Sequence, residues 1–289
     1  MSSSSPRLVT KLSDMRAAIA AARRGGKTIG LVPTMGALHA GHLSLVEHSR
    51  QECGYTVVTI FVNPTQFGPK EDFARYPRNL DADLALLRPS GADLVFAPEV
   101  GDVYGPHHAT FIEMHGVADA LEGRCRPGHF RGVATVVLKL LNMTAPDRAY
   151  FGQKDYQQSL VIRRLVADLD LPIEIRVCPT VREADGLALS SRNVYLNSAE
   201  RAEALAISRA LRRAEELVRS GHRDCAAVAE AMRAILAGAP GLRVEYLAVV
   251  DAETLDTIVT IDRPALAAVA AFVGQTRLID NALLWPVRE

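Results

Sequence analysis

The chain has 289 residues, 48% of them hydrophobic, and is long enough to bury the core of one large domain or two smaller ones. Its 33 Lys and Arg residues balance 33 Asp and Glu residues, which excludes the strongly basic surface of a nucleic-acid-binding protein. Four scattered cysteines favour free thiols, and no apolar run reaches about 18 residues, so we expect a cytoplasmic protein with no membrane partner.

Short apolar runs alternate with helical patterns over residues 8–180. In chain order the predicted elements are helix 13–24, strand 28–32, helix 39–52, strand 56–62, helix 79–88, strand 93–97, helix 133–142, strand 148–151, helix 155–169 and strand 173–177. This alternation predicts an α/β fold with a parallel sheet covered by helices on both faces. Ligands of such sheets bind beyond the carboxyl ends of the strands, so the loops that follow the first, second and fourth predicted strands are expected to converge.

A different pattern begins near residue 180. Its predicted elements are helices 198–220 and 224–237 and strands 243–250, 268–273 and 276–282, with Ser198 as the N-cap of the first helix. The simplest interpretation is a smaller C-terminal α+β domain. We therefore predict two domains, residues 1–180 and residues 181–289.

The first candidate motif follows the first predicted strand and reads Pro33-Thr-Met-Gly-Ala-Leu-His-Ala-Gly-His42. His39 and His42 lie three residues apart at the start of a helix, where unpaired N–H groups and partial positive charge favour a phosphate. Gly36 and Gly41 lack a Cβ, so a nucleotide can lie close to the backbone. The pattern predicts attack on a nucleoside triphosphate with pyrophosphate as the leaving group. The alternatives are a zinc half-site, which lacks a matching Cys/His pair, and an ordinary helix start.

The second candidate motif contains Asn63 and Gln66 and follows the next apolar strand. Their amides offer donors and acceptors without charge, which suits the hydroxyl and carboxylate oxygens of a small substrate. The alternative is turn formation, because Asn-Pro commonly opens a turn.

The third motif reads Phe151-Gly-Gln-Lys-Asp-Tyr-Gln-Gln158. Lys154 follows a strand through Gly152 and can reach a phosphate as a mobile point charge. Asp155 and Gln158 share one face of the following helix, although Asp155 also fits a simple helix-terminal charge.

Three further segments are candidates with an ordinary alternative each. In residues 181–193, Ser190, Ser191 and Arg192 could donate hydrogen bonds to a triphosphate. The alternative is that this segment is an interdomain linker. The glycine-bounded loop predicted at residues 123–132 contains three arginines and His129 and could bind an anion at the entrance of the site. The alternative is an ordinary solvated loop. Asp81 and Asp83 either hold Mg²⁺ or complement a helix dipole.

The order of these motifs resembles the pantothenate synthetase (pantoate–β-alanine ligase) family. Residues 33–42 are similar to the HIGH-type signature of the nucleotidyltransferase superfamily, and residues 190–192 occupy the place of its mobile KMSKS-type loop. The resemblance extends over residues 8–281. It implies a Rossmann-like domain that binds ATP and pantoate, a smaller C-terminal lid and a homodimer. It also implies that pantoate attacks MgATP to form pantoyl adenylate, which β-alanine converts to pantothenate and AMP.

The resemblance also implies roles for individual residues. His42 would be the catalytic histidine, with His39 and Lys154 beside it on the phosphates. Gln66 would contact pantoate and later β-alanine, and Gln158 would hold pantoate. Asn63 and His129 are further candidate substrate contacts, and Asp83 is the candidate Mg²⁺ ligand, with Ala82 and Leu86 at nearby positions where some relatives have oxygen ligands. The implied ATP-binding residues are Met35, Gly36, Ala37, Leu38, His39, Ala40, Gly41, His42, Gly152, Gln153, Lys154, Asp155, Val181, Leu189, Ser190, Ser191 and Arg192.

Two rival functions remain open from the sequence. One is a related nucleotidyltransferase that acts on a phosphorylated alcohol and would not need Gln66 and Gln158 for a carboxylate substrate. The other is a nucleotide-binding regulatory module or a tRNA-binding relic. The balanced charge argues against RNA as a partner.

Overall fold

The computed structural model describes residues 5–69 and 71–286, which fold as two compact units. The first unit comprises the chain up to Gln153 together with Gln157–Pro179. The second comprises Lys154–Tyr156 together with the chain from Thr180 onward. A stretch of only three residues therefore belongs with the C-terminal unit although the N-terminal unit surrounds it in sequence.

Within the described residues, the first unit contains a sheet of six parallel strands in the order β1-β4-β3-β2-β5-β6. The predicted α/β fold with a parallel sheet is thereby confirmed. The strands are β1 (Arg7–Val9), β2 (Ile29–Thr34), β3 (Tyr55–Ile60), β4 (Leu94–Phe96), β5 (Arg148–Gly152) and β6 (Glu174–Cys178). The accompanying helices are α1 (Leu12–Arg24), α2 (Ala40–Glu52), α3 (Leu80–Leu87), α4 (Val100–Val103), α5 (Leu121–Cys125), α6 (His129–Thr144) and α7 (Tyr156–Asp168).

Alternating side chains of the central strands build a separate core on each face of the sheet, because successive residues of a strand point to opposite sides. On one face the strand residues are fully buried against α1, α6 and α7. On the other face they are buried against α2 and α3. The first face includes Leu31, Val57, Leu94 and Ala149, and the second includes Val32, Val58, Val95 and Tyr150.

Strand β2 continues two residues further than the sequence predicts, through Pro33 to Thr34. Proline lacks the N–H that a central strand normally donates. Pro33 is tolerated because the pairing of β2 with β5 already ends at Leu31, while the register with β3 continues. The end of this strand therefore carries its loop further from the sheet centre than predicted.

The predicted loop at residues 123–132 is wrong. Helix α5 ends at Cys125, and α6 begins at His129, four residues before the predicted start. The misleading residue is Gly132, which normally signals a loop or a weak helix. A Cβ at Gly132 would overlap the backbone carbonyl of Thr65, so the glycine serves a close approach between α6 and the turn after β3.

The order of the strands defines a topological switch point. From β2 the chain moves first to β3 and β4 on one side, and later to β5 and β6 on the other. The strand order therefore reverses at β2 and β5, and open α/β sheets bind nucleotides at such a point, beyond the carboxyl ends of their strands.

In its described part, the second unit holds a three-stranded antiparallel sheet, β7 (Leu242–Asp251), β8 (Ala265–Val273) and β9 (Thr276–Leu284). Helices α8 (Ser198–Arg219) and α9 (Cys225–Ala237) share a hydrophobic core with the sheet. The predicted N-cap at Ser198 is wrong by one residue. Asn197 accepts from Glu200 N, and the Glu200 carboxylate accepts from Asn197 N, so this reciprocal pair sets the helix start.

None of the helices in residues 5–69 and 71–286 is long and apolar enough to cross a membrane. The cysteines Cys53, Cys125, Cys178 and Cys225 are all free thiols, as their scattered positions predict.

Candidate active site

The loop between β2 and α2 turns sharply at two residues in the left-handed region, Gly36 at φ +80° and Ala37 at φ +49°. This turn ends at His39, which is the N-cap of α2. Nδ1 of His39 accepts a hydrogen bond from Gly41 N at 3.2 Å, and Nδ1 of His42 accepts from His39 N at 3.3 Å. The two rings lie with their centroids 4.1 Å apart at the positive end of the helix dipole.

These hydrogen bonds select the tautomer of both histidines. A ring nitrogen that accepts from a backbone N–H carries no proton, so each neutral imidazole holds its proton on Nε2. The Nε2–H group is a hydrogen-bond donor. The loop therefore places two imidazole N–H groups at one helix terminus, and N–H groups in this position suit the oxygens of a polyphosphate.

The loop between β2 and α2, residues 35–39, together with His42 is called the histidine loop. Asp83, near the start of α3, holds this loop in place. Its Oδ2 accepts from Ala37 N at 3.1 Å, and its Oδ1 accepts from Leu38 N at 2.7 Å. The side chain is buried, and this burial raises the pKa of Asp83 against the opposing effect of the two backbone hydrogen bonds. Across the described part of the chain, no group of three or more His, Cys, Asp or Glu side chains could hold a metal ion.

The turn after β3 places a buried glutamine next to this loop. Gln66 donates from Nε2 to Met35 Sδ at 3.0 Å, and its Oε1 accepts from Asn63 Nδ2 at 3.1 Å. Asn63 Nδ2 also donates to Gly132 O at 3.1 Å. Asn63 Oδ1 accepts from Thr65 N, Thr65 Oγ1 and Tyr104 OH. With so many protein partners, Asn63 builds the turn that its Asn-Pro sequence indicates, and its predicted contact with substrate stays a prediction.

His129 lies against the same turn, on the first residue of α6. Its Nδ1 is 2.9 Å from the carbonyl oxygen of Gln66, and its Nε2 is 3.1 Å from Nη1 of Arg126. Because arginine only donates, Nε2 accepts and Nδ1 carries the proton that it donates to Gln66. Arg126 is held in turn by a bidentate ion pair with Glu71, with both distances at 2.7 Å. His129 therefore orients the backbone of Gln66.

Acidification is expected to destabilise the protein through His129. Burial and the adjacent Arg126 charge lower the pKa of His129 to about 4. In the unfolded chain this histidine binds a proton near pH 6.5, so between pH 6.5 and pH 4 the unfolded state holds more protons than the native state. The free energy of unfolding should therefore fall across this range, by on the order of 2 kcal/mol after allowance for solvent screening.

Urea denaturation of wild type and His129→Gln at pH 7 and pH 4 measures this contribution. The wild type should lose more stability on acidification than the variant. An equal loss in the two proteins would contradict the assigned protonation state.

The end of β5 carries Gly152, and Gln153 begins a short 3₁₀ turn. Of the two adjacent glutamines on α7, Gln157 is buried and structural. Its Oε1 accepts from Glu122 N, and its Nε2 donates to the carbonyls of Val117 and Ala120, each at 2.8 Å. Gln158 is half-buried, and among residues 5–69 and 71–286 its side chain makes no hydrogen bond. It is therefore the glutamine of this pair whose amide is available to a substrate.

The remaining predicted nucleotide contacts lie in the second unit. Lys154 Nζ is 3.8 Å from Asp155 Oδ1. Val181 O accepts from Leu189 N at 3.0 Å, which closes a small hairpin that is also bridged between Arg182 and Ala188. Ser190 Oγ accepts from Arg192 N and caps the 3₁₀ helix Ser191–Tyr195.

The first unit thus brings Met35, Asn63, Gln66 and His129 into one hydrogen-bonded group beside the histidine loop. Sequence reasoning missed Tyr104, whose OH donates to Asn63, and the Glu71–Arg126 pair behind His129. Nothing in the local sequence signals Tyr104, because it lies 41 residues from Asn63. The capping role of His42 could have been found, since a polar residue three positions after an N-cap commonly returns a hydrogen bond to it.

A parallel sheet with a helix-terminal histidine pair at its switch point is typical of an α/β enzyme that binds a nucleotide. The sequence profile described as Pantoate-beta-alanine ligase matches residues 7–283. The chain belongs to the pantoate–β-alanine ligase family, whose members are enzymes that form an amide bond.

Similar proteins match almost the whole length of this chain. Pantothenate synthetase from Roseiflexus sp. (strain RS-1) is 55% identical over 278 residues, covering 96% of this chain and 99% of the relative. The crystal structure of pantothenate synthetase from Thermus thermophilus has a TM-score of 0.92 at 47% identity, covering 97% of this chain and 100% of that one. Pantoate-beta-alanine ligase from Francisella tularensis, complexed with β-γ ATP and β-alanine, has a TM-score of 0.79 at 34% identity, covering 96% and 97%.

Proposed function

We propose that this chain condenses pantoate with β-alanine at the expense of ATP, releasing AMP and pyrophosphate. The observation that carries the proposal is the histidine loop, with two Nε2 donors at a helix terminus, joined through Met35 to the buried amide of Gln66. The loop has the chemistry for a triphosphate, and the amide has the chemistry for a small hydroxy acid. The complex of the Francisella relative with β-γ ATP and β-alanine supports the same substrates here.

The reaction proceeds in two steps. A carboxylate oxygen of pantoate bonds to the α-phosphorus of ATP while the bond from that phosphorus to the β-phosphate bridging oxygen breaks, giving pantoyl adenylate and pyrophosphate. The nitrogen of β-alanine then bonds to the acyl carbon, AMP leaves, and the nitrogen loses a proton. The first step is needed because a free carboxylate is a poor electrophile and AMP is a good leaving group.

Catalysis of the first step is positional and electrostatic. We assign His42 and His39 as Nε2–H donors to the phosphate oxygens, where charge grows as pyrophosphate departs. Lys154 adds a positive charge, and the remaining residues of the ATP-binding set line the nucleotide. Gln66 holds pantoate and then β-alanine, and Gln158 holds pantoate. In this proposal the residues before about 180 form the ATP- and pantoate-binding domain, and the smaller domain acts as a lid.

Mg²⁺ enters as part of MgATP, the substrate. The described residues contain no group of three or more His, Cys, Asp or Glu side chains that could hold it, and Ala82 and Leu86 offer no oxygen ligand. Both oxygens of Asp83 already accept backbone N–H bonds from the histidine loop. Ligation of Mg²⁺ by Asp83 stays a prediction. We assign Asp83 first to the loop that carries Ala37 and Leu38.

Asp83→Ala is expected to slow adenylate formation by about tenfold or more, because the histidine loop loses the acceptor that fixes its turn. The concentration of free Mg²⁺ that gives the half-maximal rate should stay at the wild-type value. Steady-state rates over a Mg²⁺ titration at fixed ATP measure both quantities. A rise in the Mg²⁺ requirement of the variant would identify Asp83 as a metal ligand instead.

We further propose a homodimer in the cytoplasm, on the basis of family membership. Sedimentation velocity of the purified protein measures its oligomeric state, and cell fractionation measures its location.

The function is tested by measuring pyrophosphate from MgATP and pantoate with β-alanine withheld. Pantoate-dependent pyrophosphate, together with enzyme-bound pantoyl adenylate detected by mass spectrometry, is the expected result. Addition of β-alanine should then convert the adenylate to pantothenate and AMP. ATP binding without pantoate-dependent turnover would favour the related transferase that acts on a phosphorylated alcohol, and phosphorylated acceptors would then be screened.

A further inference from the structure

Strand β9 contains two consecutive buried polar residues, Asp280 and Asn281, each 5% exposed. Successive side chains of a strand point to opposite faces, so the two residues serve different neighbours. Burial of a polar group costs free energy unless the group is hydrogen-bonded. The hydrogen bonds of these two side chains therefore indicate what each of them does in the strand.

Asn281 reaches the predicted phosphate-binding lysine. Its Nδ2 donates to the backbone carbonyl of Lys154 at 2.8 Å, across 127 residues of sequence. A second bond holds the same short stretch, since Tyr156 OH donates to Ala252 O at 3.0 Å. The stretch from Lys154 to Tyr156 is therefore held at both ends by the rest of the second unit, through the backbone carbonyl of Lys154 and the side chain of Tyr156.

Asp280 holds the other predicted nucleotide segment. Arg182 donates to both of its carboxylate oxygens, at 2.6 Å and 3.1 Å, and Nη1 of Arg182 also donates to Gly186 O at 3.2 Å. Arg182 adjoins Val181 in the hairpin that Leu189 closes. The Oδ1 atom of Asp280 also accepts from Asn281 N at 2.8 Å, so the two anchors are linked to each other.

We propose that Asn281 is a positioning residue for Lys154, and that β9 aligns Lys154 with the segment that begins at Val181 through the Asp280–Asn281 pair. Asn281 acts through the backbone of Lys154, so it sets where the ammonium group reaches the triphosphate. This inference rests on the proposed function, in which Lys154 contacts the phosphates of ATP. A displaced Lys154 should slow only the first half-reaction, because no triphosphate remains when β-alanine attacks the adenylate.

Asn281→Ala tests the inference when the two half-reactions are measured separately. Pyrophosphate formation from MgATP and pantoate should fall by about 10- to 100-fold per active site. AMP release from synthetic pantoyl adenylate and β-alanine should stay at the wild-type rate. Equal losses in both half-reactions would show a merely structural role, and no loss in either would also overturn the inference.

Leu278→Ala is the matched control, because Leu278 is buried in the same strand and belongs to the hydrophobic core. It should lower the stability of the unit while leaving the ratio of the two half-reaction rates unchanged. If Asn281→Ala does not fold, Asn281→Ser supplies a hydroxyl that can still form a hydrogen bond in the buried position. Its loss in the first half-reaction should lie between those of wild type and Lys154→Ala, and a wild-type rate would overturn the inference.

A double-mutant cycle with Lys154→Ala separates this inference from the proposed function. If Asn281 acts through Lys154, the double variant should be no slower in pyrophosphate formation than Lys154→Ala alone. Multiplied losses would overturn the positioning role while leaving the function of Lys154 intact. A wild-type rate for Lys154→Ala would instead overturn the proposed role of the lysine, and the positioning inference with it.

Discussion

His42→Ala is expected to slow pantoate-dependent pyrophosphate release by about 100- to 1,000-fold, the usual effect of removing one donor to the developing charge of a transition state. The loss should fall on the rate of adenylate formation, because the proposed role of the Nε2–H group is to donate to the phosphate oxygens as pyrophosphate departs. Rapid-quench measurement of enzyme-bound adenylate in a single turnover tests this directly.

The control for this variant must separate chemistry from helix capping. His42 Nδ1 accepts from His39 N, so alanine also removes a cap that contributes about 1 kcal/mol to stability. Glutamine at position 42 can still accept that bond, as glutamine does in other capping pairs. His42→Gln should therefore unfold like wild type and be as inactive as His42→Ala. Near-wild-type adenylate formation by the glutamine variant would rule out the imidazole as the essential donor.

Gly132→Ala should be the most damaging single-methyl change near Gln66, the proposed substrate contact. Its Cβ would overlap the Thr65 carbonyl and would lie 2.7 Å from Gln66 Cα. Neither backbone group can move without shifting the turn that carries Asn63 and Gln66. We expect a loss of about 1–3 kcal/mol in the free energy of unfolding and about a 100-fold loss in the rate of the first half-reaction. Urea denaturation and pyrophosphate release measure the two effects.

Gly101→Ala is the matched control, because Gly101 also lies in a helix and a Cβ there would meet no atom within 4 Å. Its activity should equal that of the wild type, and its stability should stay the same or rise by about 0.4–1 kcal/mol. If Gly132→Ala behaved like this control, the turn would not depend on the close approach of α6.

Most of the sheet could be predicted because its strands are short apolar runs between helical patterns. Strand β1 was not predictable in this way, since its three residues carry too little periodicity and it pairs with β4, far along the chain. The early start of α6 was missed for a physical reason. A glycine inside a helix and a glycine in a loop look alike in sequence, and only the approach of Thr65 distinguishes them.

The candidate site likewise contains residues that the sequence indicates and residues that it does not. His39, His42, Gln66 and Lys154 stand in contiguous motifs with recognisable chemistry, so the sequence indicates them. Their supporting residues are distant in sequence and have no motif of their own. Asp83 holds a loop 45 residues away, Tyr104 reaches Asn63, and Asn281 reaches Lys154. Such partners emerge only when the sheets bring the elements together.

The attachment of residues 154–156 to the second unit also orders events during synthesis. These residues leave the ribosome well before their partners, because the acceptor of Tyr156 lies 96 residues later and the anchor of Lys154 lies 127 residues later. Domains generally fold as units while the chain is made. A nascent chain can thus assemble the parallel sheet and its histidine loop early, but it acquires an oriented Lys154 only after β9 has been translated.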